Sequence, residues 1–165
     1  MTESDLDPEA SFRDGMRALI GTRFGAVWKA LPVAVTGIDP EGVHDVRVAS
    51  RRLRAAMDVA VGCFPDSWYK PLHSAARAIT TELGDVRDRD VLLEYLIVER
   101  ESVSPSERAG IERLIARIER EREIARAHML DFLSKLESDN VAGESERRFG
   151  GAAAAPRAEM EQGRS

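Results

Sequence analysis

The stretch Val43-His44-Asp45-Val46-Arg47-Val48-Ala49-Ser50-Arg51-Arg52-Leu53-Arg54 carries two patterns at once. On a helix each residue advances about 100°. His44, Arg47, Arg51, Arg54 and, one turn further on, Asp58 then fall within an arc of about 80°. Val46, Leu53, Met57 and Ala60 centre about 130° away from it. One side of such a helix faces a core, while the other carries a ladder of three arginines and a histidine. Arg52 points elsewhere, towards solvent or an acid.

Working outward, the flanking sequence repeats the helical signal. Asp7-Pro8-Glu9 and Asp39-Pro40-Glu41 each set an N-cap acid before a proline at the first helical position. Ser104-Pro105-Ser106-Glu107 adds a capping box, with the glutamate three residues after the serine. Phe64-Pro65-Asp66 and Leu83-Gly84-Asp85 read as two further breaks. Between these points apolar residues recur at helical steps, as in Met16, Ile20, Phe24 and Val27, in Leu72, Ala76, Ile79 and Leu83, and in Ile111, Leu114, Ile115 and Ile118. A short fourth segment is marked by Val91, Leu92, Tyr95, Leu96 and Val98. Val33 to Ile38 is the one strand-like piece, and Pro32 and Gly37 make it a loop. The pattern predicts an all-α fold, an antiparallel bundle of about four to five helices. Residues 1–7 read as an extension and 8–137 as the helical domain. Residues 138–165, with Gly150, Gly151 and four consecutive alanines, read as a disordered tail.

Composition removes several function classes. The chain has 165 residues, which suits one domain. Its 24 Lys and Arg against 29 Asp and Glu give a net charge of −5, which argues against a general nucleic-acid coating protein but not against a local basic patch. Only Lys29, Lys70 and Lys135 are lysines, so the cations are almost all arginine, whose planar fork of donors suits carboxylate or phosphate. The longest uncharged stretch, Ala30 to Ile38, is too short to span a bilayer, and the acidic N-terminus lacks the order of a signal peptide. No membrane role is expected, and the expected setting is cytoplasmic. Cys63 alone makes no internal disulfide. His44, His73 and His128 show no metal-ligand spacing, so neither metal nor cofactor is expected.

Successive rungs of the ladder lie about 5 Å apart along the helix axis. One flexible polyanion can therefore touch several arginines together, through charge-assisted bonds that are strong and often bidentate. The same face also fits arginines paired with acids of neighbouring helices or with water. A second segment, Leu83-Gly84-Asp85-Val86-Arg87-Asp88-Arg89-Asp90-Val91, reads either as a self-paired corner between two helices, the reading favoured for Asp88 and Asp90, or as a turn that presents Arg87 to the basic face. Arg122 and Arg126 in the long last helix, interleaved with Glu119 and Glu123, read as part of a solvated face.

These two segments, in this order and at this separation, resemble the CHAD domain, the conserved histidine α-helical domain, over about residues 8–137. The resemblance implies an all-helical fold, two related four-helix bundles around a basic pore in full-length members, and binding of inorganic polyphosphate, in some members on polyphosphate granules. It implies no catalytic activity of the domain itself. By position, His44 matches the histidine that names the family, Arg47, Arg51 and Arg54 its basic ladder, and Arg87 the arginine of the second motif. Lys70 and Arg77 match more loosely. The chain departs from the family in having one His-and-Arg helix where full members have two; His128 has no arginine ladder after it. The alternatives are a homodimer that completes the pore and a truncated remnant that binds weakly.

The expected function is thus non-catalytic polyphosphate binding by His44, Arg47, Arg51, Arg54, Arg87, Arg77 and Lys70. A helical module for an acidic protein or a nucleic-acid backbone is the alternative, although few aromatics are available for base stacking. A phosphate-processing enzyme fits less well, because no carboxylate set for Mg²⁺ accompanies the basic helix.

Overall fold

A computed structural model describes residues 11–150 as five helices: α1 (Phe12–Thr36), α2 (Pro40–Val59), α3 (Asp66–Ser102), α4 (Pro105–Ser138) and α5 (Val141–Phe149). Among the described residues there is no strand. The Asp7-Pro8-Glu9 start and residues 151–165 of the expected tail lie outside them. Consecutive helices α1 to α4 pack as antiparallel neighbours, and α5 folds back mainly onto α1.

Local chemistry sets most of the boundaries. The Ser11 hydroxyl accepts the Asp14 N–H at 3.2 Å, and the Asp39 carboxylate accepts the Glu41 N–H at 2.9 Å ahead of Pro40. The Ser104 N–H donates to the Glu107 carboxylate at 3.1 Å, as the capping box requires.

The expected loop at Val33 to Ile38 is helix as far as Thr36, and the break falls at Gly37, which has φ +67°. Pro32 removes one N–H, but Ala34 beyond it is fully buried, and Arg126 of α4 donates to the Val35 carbonyl at 2.6 Å and the Ala34 carbonyl at 3.3 Å. The guanidinium thus satisfies carbonyls that a helix end leaves open, at the negative end of its dipole. Gly42 lets α2 start close against α1, since a Cβ there would lie 2.9 Å from the Val33 and Ala34 backbone.

The expected break at Leu83-Gly84-Asp85 is also absent. α3 runs unbroken for 37 residues. A mid-helix glycine costs about 1 kcal/mol, and burying Leu83 and Val86 on either side of it offsets that. Two acids of this segment pair with other helices instead of forming a corner: Asp88 with Arg47 of α2, and buried Asp90 with Arg122 of α4.

The tail expected from residue 138 is structured in part. α5 places Phe149 in the core, fully buried and packed on Phe24, Phe64 and Trp68 with ring centroids 5.5 to 5.8 Å apart. Gly21 makes room for it, because a Cβ there would lie 2.7 Å from the Phe149 carbonyl oxygen. Trp28 Nε1 donates to Ser145 at 3.0 Å, and Arg17 donates to the Arg148 carbonyl at 3.0 Å.

One continuous core joins Ile20, Phe24 and Val27 of α1, Val46, Leu53 and Met57 of α2, Ile79, Leu83 and Val86 of α3, and Met129 of α4. By length and composition α1 could cross a membrane. Here its apolar stripe is instead the wall of this core. α3 and α4 are longer than α2 and continue past its first turn, joined by a smaller cluster of Leu96, Ile115 and Ile118. On the opposite side of that extension Val91, Tyr95 and Val98 are exposed.

Candidate functional site: a basic face shared by α2 and α3

The two-sided reading of α2 holds. Val46, Leu53, Met57 and Ala60 are fully buried, while Arg51 and Arg54 are exposed and His44 and Arg47 half-buried. α3 runs antiparallel beside the ladder, and Lys70, His73, Arg77 and Gly84 recur on it at helical steps. Thr80 donates to Ser50 at 3.2 Å across the same seam.

Each rung has its own surroundings. Arg51 has no acidic partner within salt-bridge distance among the described residues. Arg47 lies over Gly84, with its nearest guanidinium contact to Asp88 at 3.8 Å and its buried Nε without a hydrogen-bond partner. Arg54 Nε sits 3.7 Å from Asp58 Oδ2. The other oxygen, Oδ1, accepts from Arg77 Nη2 at 3.1 Å and meets His73 Nε2 at 2.7 Å. Burial alone would raise the Asp58 carboxyl, but the hydrogen bonds from Arg77 and His73 outweigh it and hold the group below the ordinary carboxylate value. Beneath them Tyr69 donates to the Met57 carbonyl at 2.6 Å, and burial pushes its phenol up to about 12, with Cys63 and Asp58 adding to the rise.

The remaining expected site residues are placed differently. Arg87, only 13% exposed, stands between Glu94 at 3.5 Å and Glu41 at 3.9 Å, at the start of α2. Lys70 is exposed and pairs with Asp66 at 2.7 Å, one turn before His73. The structure therefore brings His44, Arg47, Arg51, Arg54 and Arg77 to one face, with Lys70 at one end and a largely enclosed Arg87 at the other. His73, not among the residues expected from the sequence, also lies on this face. Its spacing from Lys70 and Arg77 on one helix face is the sequence signal for it.

Among the described residues no three His, Cys, Asp or Glu side chains are grouped as metal ligands. A cavity of ≈ 420 Å³ lined by Pro40, Asp90, Leu93, Glu94 and Arg122 lies off the ladder. On the basic face Arg51, Arg54 and Arg77 are exposed to solvent.

The model of the CHAD domain matches residues 18–161, which include the whole of this face. The chain belongs to the CHAD domain family. CHAD domains are associated in general with polyphosphate binding, and their binding role is non-catalytic. The CHAD match runs beyond the expected limit at residue 137 and takes in α5, consistent with the packing of Phe149. No curated protein and no solved structure matches the chain.

Proposed function

We propose that this chain binds inorganic polyphosphate, without catalysis, along the face of α2 and α3. The observation that carries the reading is the exposure of Arg51 and Arg54 on the same side as Arg47, with Arg51 unpaired among the described residues. Surface ion pairs at 3.7 to 3.8 Å are weak enough for a phosphate chain to replace them. A phosphate that accepts two N–H bonds from one guanidinium gains more than such a pair gives. His44 adds a donor at the start of the ladder, and a further positive charge when protonated. Arg77 and Lys70 extend the positive surface along α3. Arg87, held by Glu41 and Glu94, contributes chiefly by fixing the first turn of α2 beside α3.

The reading is tested by binding long-chain polyphosphate to the wild-type protein and adding a single-stranded oligonucleotide as competitor. Polyphosphate is expected to displace the oligonucleotide far more readily than the reverse, because the face offers phosphate donors and no aromatic platform. Preferential retention of the oligonucleotide would overturn the proposal.

A further inference from the structure

The α2–α3 face contains an acid where the proposed ligand is itself an anion, and the geometry around that acid suggests what it does. Arg54, His73 and Arg77 come from two helices and converge on the one carboxylate of Asp58. His73 is buried, with 10% of its side chain exposed, and packs against Tyr69 with ring centroids 5.8 Å apart, so it is a fixed donor. A carboxylate can only accept, which puts the proton on Nε2. Asp58 itself is open to solvent, with 42% of its side chain exposed. Two arginines against one carboxylate leave the cluster positive.

We infer that Arg54, His73 and Arg77 form a phosphate subsite at the C-terminal end of the ladder, and that Asp58 occupies it as an internal counter-anion that selects for long chains. This rests on the polyphosphate reading and deepens it. A phosphate group can take the two hydrogen bonds that Asp58 Oδ1 accepts from His73 and Arg77, and the charge of Arg54, which stands 3.7 Å from Oδ2. Orthophosphate or a short oligophosphate must displace or approach a tethered negative charge with little other contact. A long chain already held on Arg47 and Arg51 reaches the subsite with its entropy of association largely met. The like charge of Asp58 therefore penalises short ligands more than long ones, which is specificity by repulsion.

The variant that tests this is Asp58→Asn, which keeps the shape and one acceptor for His73 and Arg77 while removing the charge. Asp58→Ala makes the same charge change if the asparagine variant folds poorly. Wild type and variant are titrated with tripolyphosphate and with long-chain polyphosphate at one salt concentration. Both ligands are expected to bind the variant more tightly, by roughly two- to fivefold for an exposed charge. The gain should be larger for tripolyphosphate, so that discrimination between the two narrows. Unchanged or weaker binding to the variant, or an equal gain for both ligands, overturns the subsite assignment while wild-type binding of the long chain leaves the broader reading standing. Failure of the wild type to bind long-chain polyphosphate overturns that reading and this inference with it.

Discussion

Asp58 shows how one side chain links stability to the proposed function. Its folded carboxyl is held below the ordinary value near 3.8 by Arg77 and His73, against the cost of burial. A depressed folded value means that the stabilising contribution is complete above the ordinary value. It is lost as pH falls through the lower folded one. The urea midpoint of the wild type should therefore fall more steeply than that of Asp58→Asn between about pH 5 and about pH 3, in the window where carboxylates titrate. Parallel profiles would contradict the pairing. At this scale the sequence shows the arginines of α2 and their shared face, because helical spacing alone places them. It does not show that Asp58 gathers His73 and Arg77, since that pairing spans 15 and 19 residues and depends on how α3 lies against α2. Arg122 and Arg126 are misread for the same reason. Their nearest acids in sequence suggest a solvated face, yet one reaches buried Asp90 and the other the end of α1.

At the scale of elements, the starts of α2 and α4 are written in the sequence by Asp39-Pro40 and Ser104-Pro105-Ser106-Glu107, where the cap and the proline act locally. Pro32 and Gly84 mislead because their local cost is outweighed by burial of Ala34, Leu83 and Val86. α5 is hidden for a different reason. In nine residues it carries Val141 and Phe149 as its only large apolar anchors, too few for periodicity to register, and its stability comes from the pocket that receives Phe149. Phe149→Ala should accordingly cost about 3–5 kcal/mol, as for a fully buried aromatic, and lower the urea midpoint to match. An unchanged midpoint would show that α5 does not belong to the cooperative core.

For the molecule as a whole, a net charge of −5 and a basic face are compatible because the charges are segregated. Arg47, Arg51, Arg54, Arg77 and Lys70 gather along α2 and α3, while Glu94, Glu119 and Glu123 line the region around the Asp90–Arg122 pair. The chain presents one arginine ladder on one bundle, so its affinity for a polyanion rests on few rungs. The measurement that tests the central claim most directly is a long-chain polyphosphate titration of the wild type and of the triple variant Arg47→Ala, Arg51→Ala, Arg54→Ala at two salt concentrations. Both proteins are first shown to unfold cooperatively. The account predicts tight wild-type binding that weakens steeply with salt through counterion release, and a variant with a large loss of affinity and a shallower salt slope. Equal affinity and equal salt slope for the two proteins would contradict it.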